Sequence, residues 1–495
     1  MKIMATYFTA QFSGGMNEVI DPALLNEKTA SLLVNANVES GKIVSVNMPK
    51  VLPVNTPEDL DHYGKVNRST VKLYDRTYWS NNDTLAAPFY GGDKENYLGI
   101  PFPDYNKEVM FAPQDGGELS GNYKYCVTYV NENGWESAPG NVFDYERSVT
   151  LENQWVKITV TWEDERISYA KIYRTQKAGA DFYCVGEVNH PGEAFIDKTS
   201  DYTLAGLEAL STIDNYPPPD NGKFLCESGN VFFLAAGSTL YFSQQGNPHA
   251  WPKLNFIGFD DIITGITAEF QGILVFTNNN TWRVTGADDP ATLIKTQLPG
   301  NQGCVLYNSI AQISNAPVWL SNDGICLWNG ESINVVSRQI INAARLQVNC
   351  AVSANDCYYL FLKDGAILYD HRNGDIFSKL DFTCSYAWYD GKTDVLYLQS
   401  STGIYAWGQG EPGTYQYKTG YVGIPESEYS VYKEVIVTIS GHANVTFDIE
   451  GKTLFSVDLK RSGKHRLKLP YNTIGRYAQI KVAGTGSLKE AGVIF

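Results

Sequence analysis

Adjacent carboxylates are the residues of this chain that come nearest to an acid–base pair. They are Asp260 with Asp261, Asp288 with Asp289, and the run Glu163, Asp164 and Glu165. General acid–base catalysis needs its groups within hydrogen-bond reach of one substrate. Neighbouring side chains of a strand point to opposite faces, so these pairs are poorly placed for that chemistry. Solvated turns are the better interpretation, and the sequence predicts no enzymatic turnover.

Other signatures of catalysis and cofactor binding are missing from the sequence. There is no Gly-x-Ser-x-Gly elbow, no His-Glu-x-x-His and no P-loop. The histidines are scattered, which favours surface or strand positions for all six: His62, His190, His249, His371, His442 and His465. We expect no cofactor and no metal.

One compact group of cations stands out around Ser462 and Gly463. It consists of Lys460, Arg461, Lys464, Arg466 and Lys468. Such a group could contact DNA phosphates or an acidic partner. The other interpretation, which the sequence favours, is a charged hairpin tip that only faces water. These five residues are the candidate site residues of the chain.

The charge balance of the whole chain is acidic. Lys and Arg number 39 against 54 Asp and Glu, giving a net charge of −15. A protein that grips nucleic acid needs clustered cations, so this balance argues against tight DNA binding. No apolar run reaches the ~18 residues of a transmembrane helix. The first residues lack the apolar stretch of a signal peptide, so we expect cytosolic synthesis without membrane insertion.

The cysteines give no sign of a metal site. The eight are Cys126, Cys184, Cys226, Cys304, Cys326, Cys350, Cys357 and Cys384. None belongs to a Cys-x-x-Cys pair, and several lie in apolar runs where Cys behaves as a small hydrophobe. We expect reduced core residues. The best candidate for a disulfide, should one form, is Cys126 with Cys184.

A two-strand unit recurs between Cys226 and Trp407. Its first apolar runs start 38 to 45 residues apart, at Val231, Ile273, Val318, Cys357 and Val395. Hairpin-type turns such as Asn322–Gly324 and Lys363–Gly365 follow some of these runs. A repeat near 40 residues, rich in aromatic and β-branched residues, is typical of a β-propeller blade. Residues 216–410 are therefore predicted to be propeller blades, and residues 65–114 to add strands and an exposed loop.

The remaining segments are predicted to be distinct. Residues 1–64 form a lead segment, with a short helix from Asp21-Pro22 and then a hairpin around Gly41. Residues 115–215 contain many short strands, which suits an inserted immunoglobulin- or fibronectin-III-like sandwich that folds separately. The stiff run Pro217–Pro219 follows it. Residues 411–495 form a small C-terminal β region, which is a terminal sandwich or completes the propeller ring.

Several motifs resemble one family in the order in which they occur. They are Phe12-x-Gly-Gly-Met-Asn17, the Asp21-Pro22 step, Asn35-x-Asn-Val38, Tyr241-Phe-Ser-Gln with Pro248-His-Ala-Trp251, Leu274-Val-Phe-Thr with Trp282-Arg-Val-Thr-Gly286, and Asp323-Gly-Ile-Cys-Leu-Trp328. This series is similar to the tail nozzle proteins of short-tailed bacteriophages, the tail tubular protein B or packaged-DNA-stabilisation type. The resemblance covers most of residues 8–410.

The resemblance implies a structural virion protein. It would form a ring, a homohexamer in the family, below the tail adaptor and around the DNA exit channel. The ring would retain the packaged genome and conduct it at ejection. Implied partners are the adaptor ring, tail fibre or needle proteins, and double-stranded DNA that passes without specific binding. Implied localisation is the virion tail, after assembly in the host cytoplasm.

A second hypothesis belongs to a different class. A glycan-binding or glycan-hydrolysing β-propeller acting on the host cell surface would also be an all-β chain rich in aromatic residues. The missing secretion signal and the missing carboxylate constellation weigh against it.

Overall fold

Strands make up nearly all regular structure of this chain. The computed structural model describes residues 6–9, 11–52, 68–82, 88–91, 96–141, 143–343, 346–423 and 428–495. The helical elements among them are short: α1 Asp201–Leu204 and the 3-10 turns Pro290–Thr292 and Tyr307–Ser309. The chain divides into two compact units. One contains Met1–Asn67, Leu274–Arg283 and Thr296–Phe495, and the other contains Arg68–Ile273 and Val284–Lys295.

The lead segment contains five short strands. They are β1 Thr6–Thr9, β2 Leu32–Val34, β3 Ala36–Glu39, β4 Lys42–Ser45 and β5 Lys50–Val51. The predicted hairpin is β3–β4, which turns at Ser40 and Gly41 with φ of 50° and 74°. Residues 1–5, 10 and 53–64 of the predicted segment lie outside the described residues.

The short helix predicted from Asp21 is wrong. Residues 22–24 make a single turn, in which the Leu24 N–H donates to the Asp21 carbonyl at 2.8 Å. Asn26 then starts another turn, because its side-chain oxygen accepts from the Lys28 N–H at 2.9 Å. A proline at the first helical position is not sufficient when a competing side-chain cap follows within one turn.

The second unit begins with a four-stranded antiparallel sheet. Its strands pair in chain order and are β6 Arg68–Leu73, β7 Arg76–Asn81, β8 Phe89–Tyr90 and β9 Asn96–Tyr97.

A five-stranded sheet follows, as an insertion within this unit. Its strands are β10 Val109–Val130, β11 Arg147–Val160, β12 Tyr169–Thr175, β13 Phe182–Val188 and β14 Ala194–Asp197, in the order β13-β12-β10-β11-β14. It begins at Val109 rather than at residue 115. The two outer strands approach each other, since a Cβ on Gly186 would lie 2.2 Å from the Phe195 ring. The immunoglobulin or fibronectin-III class of this segment stays a prediction.

Two more four-stranded sheets come next. The first has β15 Lys223–Ser228, β16 Val231–Ala236, β17 Thr239–Phe242 and β18 Phe256–Gly258. The second has β19 Gly265–Glu269, β20 Gly272–Phe276, β21 Thr281–Thr285 and β22 Ile294–Gln297, and its residues are divided between the two units.

Three further four-stranded arrangements lie in the first unit. The first has β23 Ala311–Ile313, β24 Ala316–Ser321, β25 Gly324–Trp328 and β26 Ile333–Val335. The second has β27 Val348–Ala354, β28 Cys357–Leu362, β29 Gly365–Asp370 and β30 Ile376–Leu380. The third has β31 Tyr386–Asp390, β32 Val395–Ser400 and β33 Gly403–Ala406. The fourth strand of the last sheet is β5 from the lead segment, where Val51 pairs with Tyr405.

The packing of these sheets is that of propeller blades. Within the second unit the first strand of a blade lies beside the first strand of the next, β6 with β15 and β15 with β19. The same holds in the first unit for β23 with β27 and β27 with β31. Second strands such as β16 and β20 are buried on both faces, which is why they read as continuous apolar runs. The predicted fold class, an all-β chain with propeller blades, is confirmed.

The C-terminal region shares a sheet with the lead segment. Its strands are β34 Tyr415–Lys418, β35 Ser430–Val431, β36 Glu434–Ile449, β37 Lys452–Leu459, β38 Gly463–Lys468, β39 Ile474–Gly475 and β40 Ala478–Ile494. β40 pairs with β36 along most of its length and also with β1, β4 and β34. One face of this sheet covers an apolar core that includes Val435, Val437, Val445, Ile480 and Val482. The region therefore does not supply the closing strand of the last blade.

Candidate functional site: the outer face of the C-terminal sheet

Two of the adjacent carboxylates, Asp289 and Asp164, are engaged by local structure. Asp289 caps a 3-10 turn, because its side chain accepts from the Ala291 N–H at 3.1 Å. Asp164 pairs with Arg166, two residues further on, at 2.6 Å. That guanidinium holds the pKa of the Asp164 carboxyl below its ordinary value. These groups are occupied by local structure and are not directed at a common point.

The five candidate cations lie along one edge of the C-terminal sheet. Leu459 pairs with Ala443, and Gly463 pairs with Ile439. β37 and β38 therefore lie one after the other along β36, and both run antiparallel to it. The predicted hairpin tip is therefore wrong. Residues 460–462 are a break in one long strand, and the Gly441 N–H donates to the Ser462 hydroxyl there at 2.9 Å. The sequence misled because Ser-Gly is a common turn signal as well as a common bulge.

Three of the five cations share one face. Lys464, Arg466 and Lys468 alternate along β38 and are exposed, while His465 and Leu467 between them are half-buried. Lys464 contacts the Glu490 carboxylate at 3.2 Å, and Arg466 Nε lies 3.7 Å from a Glu434 oxygen. Both acids stand on neighbouring strands of the same face. The positive charge of Lys464 and Arg466 is therefore largely neutralised by these two glutamates.

Lys468 and the other two cations remain exposed at the edge. Lys460, Arg461 and Lys468 form no ion pair with any residue that the structure describes. Within that part of the chain β37 and β38 pair with β36 alone, so their outer backbone groups face solvent. Lysine on an exposed edge opposes pairing with a foreign strand. Edge protection is thus a sufficient reason for these cations.

A cleft opens on the same outer face, next to this edge. Its volume is about 550 Å³, and β3, β4, β36 and β40 surround it. Two lysines line it, Lys42 and Lys489, together with Glu39 on its rim. Neither lysine has an ion-pair partner among the residues described. The cleft therefore contains two lysines and one glutamate, Glu39, which is the register partner of Lys42 across the β3–β4 hairpin, in a chain of net charge −15.

The floor of the cleft is set by a close backbone approach. Gly486 has φ of 93°, and a Cβ there would lie 2.1 Å from the Ser440 carbonyl oxygen. The Gly486 N–H donates to the Ser45 hydroxyl at 2.8 Å. Glycine is required at this point because the backbones of β36 and β40 come so close together. Hydroxyl groups line the space beside them: Ser40, Ser45, Ser440 and Ser487.

Sequence reasoning missed Lys42 and Lys489 as neighbours. They lie far apart in the chain and come together because Ile43 pairs with Leu488 and Val44 with Ser487. No spacing rule connects two residues at that separation. The only local signal was the Glu39-Ser-Gly41 turn, which placed Lys42 at the start of a strand.

The cysteines are thiols in this structure. All eight are free and seven are buried. Burial raises the pKa of the Cys304, Cys326 and Cys357 thiols to about 12, which makes them weak nucleophiles. The shortest sulfur–sulfur distance that the structure gives is 3.8 Å, between Cys350 and Cys384. Cys126 and Cys184 share a small core cluster in the inserted sheet.

Five of the six histidines can be placed, and His62 lies outside the described residues. His371 and His442 lie 2.7 and 2.6 Å from carboxylate oxygens of Asp375 and Asp458. His465 contacts the Arg461 carbonyl, and His190 is exposed. His249 is buried and stacks on the Trp135 ring with centroids 4.8 Å apart. The described residues contain no group of ligands that could hold a metal ion.

Comparisons with known proteins return only distant likenesses. The chain matches no family model and no curated protein. Among solved structures it is similar to the Pan2 WD40 domain of Neurospora crassa, with a TM-score of 0.28 and 9% identity over 52% of this chain and 83% of that chain. BamB from Moraxella catarrhalis gives 0.27 and 10% over 68% and 95%. An exo-β-1,3-galactanase from Phanerochaete chrysosporium gives 0.21 and 8% over 91% and 99%.

These likenesses carry no argument about function, because the TM-scores and identities are low. In the part of the chain that the structure describes, no helix is long and apolar enough to cross a membrane.

Proposed function

We propose that this chain is a tail nozzle protein of a short-tailed bacteriophage. It would assemble as a ring around the DNA exit channel, retain the packaged genome and conduct it at ejection. The observation that carries the proposal is the ordered series of motifs from Phe12 to Trp328 on one all-β chain. The chain would act by assembly rather than by turnover, which agrees with carboxylates that cap turns.

The first of these motifs supports the proposal because its glycines have an architectural role. The Met16 N–H donates to the Phe377 carbonyl of β30 at 2.9 Å. Gly15 has φ of 60°, and a Cβ there would lie 2.9 Å from Ile376. The Phe12-x-Gly-Gly-Met-Asn17 motif thus attaches the lead segment to a blade. A motif that fixes such an attachment is more specific to an architecture than a surface turn would be.

The charge of the chain also supports it. A channel that conducts DNA must not bind it, and like charges keep the backbone away from the wall. The net charge is −15, and two of the five cations near Ser462 are paired with glutamates. The propeller blades would serve as a rigid scaffold on which loops make the contacts between subunits and with the adaptor.

Ring assembly is the direct test. Six copies of the 55.0-kDa chain would have a mass of about 330 kDa. We expect the purified protein to give this species by mass photometry at micromolar concentration, alone or with its adaptor, and rings with a central opening in negative-stain images. A protein that stays monomeric with and without the products of neighbouring genes would contradict the proposal.

DNA binding by the assembled protein is expected to be weak. A protein that neutralises 6–10 phosphates loses ~10³–10⁵ in affinity between 50 and 200 mM salt. For the nozzle, the logarithm of the DNA affinity should instead fall only slightly with the logarithm of the salt concentration, since counterion release requires clustered cations. Changing Lys464 and Arg466 to Ser should remove what slope remains if the β38 face contacts DNA. A salt series with labelled duplex measures this.

The matched control for that series changes Lys392 and Lys452, which are exposed and lie outside β38. It removes the same charge and should leave the slope unchanged. Tight DNA binding at physiological salt, with a steep dependence of affinity on salt, would contradict a conducting channel. It would indicate a clamp that holds the genome directly.

A further inference from the structure

We propose that the cleft between β4, β36 and β40 binds a small carboxylated or phosphorylated sugar. None of the sequence motifs described above contains Lys42 or Lys489, and the proposed ligand is independent of the nozzle function. It rests on the charge, the hydroxyl lining and the size of the cleft.

The charge selects an anion. Lys42 begins β4 and Lys489 lies within β40, and both residues line the same space. On the same face Lys464 and Arg466 are paired with Glu490 and Glu434. Two unpaired ammonium groups beside one cleft attract carboxylate or phosphate oxygens, and each can donate a charge-assisted hydrogen bond.

The lining selects a ligand with hydroxyl groups. Ser440 and Ser487 occupy paired positions on β36 and β40, and Ser40 and Asn47 lie on the opposite wall. Glu39 adds a carboxylate acceptor at the rim. Serine and asparagine both donate and accept, which suits the alternating donors and acceptors of a saccharide. Val44 and Pro412 supply the apolar contact that a sugar ring needs.

The size of the cleft favours a small ligand over a macromolecule. A volume of about 550 Å³ lies within the range of small-molecule sites. The recess is bounded by a glycine floor at Gly486 and by the β3–β4 hairpin. We therefore assign the cleft to a monosaccharide or disaccharide that carries one acidic group.

Calorimetric titration of the full-length protein at low salt tests the proposal. The probes are glucuronate, glucose 6-phosphate, glucose and inorganic phosphate. We expect the two acidic sugars to bind about tenfold more tightly than glucose, which corresponds to one charge-assisted hydrogen bond. They should also bind more tightly than inorganic phosphate, because the hydroxyl lining contributes.

Variants locate the site. The double change Lys42→Gln and Lys489→Gln should weaken binding of the acidic sugars by about tenfold or more. The matched control, Lys392→Gln with Lys452→Gln, removes the same charge from exposed positions outside the cleft and should leave binding of the acidic sugars unchanged. All four lysines are exposed, so the variants should fold, and circular dichroism checks this.

Three outcomes would overturn the proposal. Equal binding of glucose and glucuronate would remove the role of charge. Inorganic phosphate binding as tightly as glucose 6-phosphate would reduce the cleft to a simple anion site. Competition by duplex DNA that disappears in the Lys42 and Lys489 variant would assign the cleft to nucleic acid.

Discussion

Replacing Asp197 with alanine is expected to destabilise the inserted sheet by about 3–5 kcal/mol, the usual cost of breaking a buried ion pair. Asp197 and Arg174 are both fully buried, and a carboxylate oxygen lies 3.0 Å from the guanidinium. The same oxygen accepts from the Tyr125 hydroxyl at 2.8 Å. Alanine would leave the guanidinium without its buried counterion, although Asp201 still contacts it at 3.0 Å.

Hydrogen exchange read by mass spectrometry measures this loss locally, because it reports opening peptide by peptide. Peptides of β10 to β14 should lose protection, and peptides of the first unit should not. Asp181→Ala is the control, since that aspartate is exposed. The double change Arg174→Met with Asp197→Leu should recover much of the stability. Unchanged protection in Asp197→Ala would mean that the pair contributes little.

Acid is expected to weaken the second unit through His249. The imidazole is 8% exposed, and burial lowers its pKa to about 4 from an ordinary 6.5. It stacks on Trp135, whose ring also lies under the Arg76 guanidinium at 5.2 Å. The Nδ1 atom is buried without a hydrogen-bond partner among the described residues.

The sign of this effect follows from proton uptake. The unfolded chain takes up the proton near pH 6.5, and the folded chain only near pH 4. Between these values the unfolded state binds more protons, so the free energy of unfolding falls as the pH falls. The loss reaches about 3 kcal/mol at pH 4. Urea unfolding across this range measures it.

The control for His249 must remove other titrations, because carboxylates also protonate in this range. His249→Phe keeps a flat ring against Trp135 and has no proton to gain. The difference in the free energy of unfolding between the natural chain and this variant should therefore change by about 3 kcal/mol from pH 6.5 to 4. A difference that stays constant would show that His249 is not the titrating group.

The fold class was readable from the sequence because blades have a local signature. Residues 231–234, 273–276 and 357–361 are buried on both faces, and that burial appears directly as apolar runs at a regular interval. The helix at Asp21 failed for the opposite reason. Its starting signal was local, and the Asn26 side chain, which accepts from the Lys28 N–H, begins a different turn before a helix can form.

The candidate site was only partly readable. The composition of β38 gave Lys464 and Arg466, but their partners Glu490 and Glu434 came from pairings that the sequence does not specify. The same limit hid the cleft, since Lys42 and Lys489 become neighbours through the register of β4 on β40. Local patterns report strands and turns, whereas a site made of strands distant in sequence depends on how those strands are paired.

The origin of the fourth strand in the last blade has a consequence for biosynthesis. Val51 pairs with Tyr405, so β5 leaves the ribosome long before its partner exists. At about 5–20 residues per second, it waits roughly 20–70 s as an unpaired segment of the nascent chain. β1 waits longer still for β40. Contacts between residues so far apart in sequence slow folding. The first unit therefore completes its structure only after nearly the whole chain has been translated.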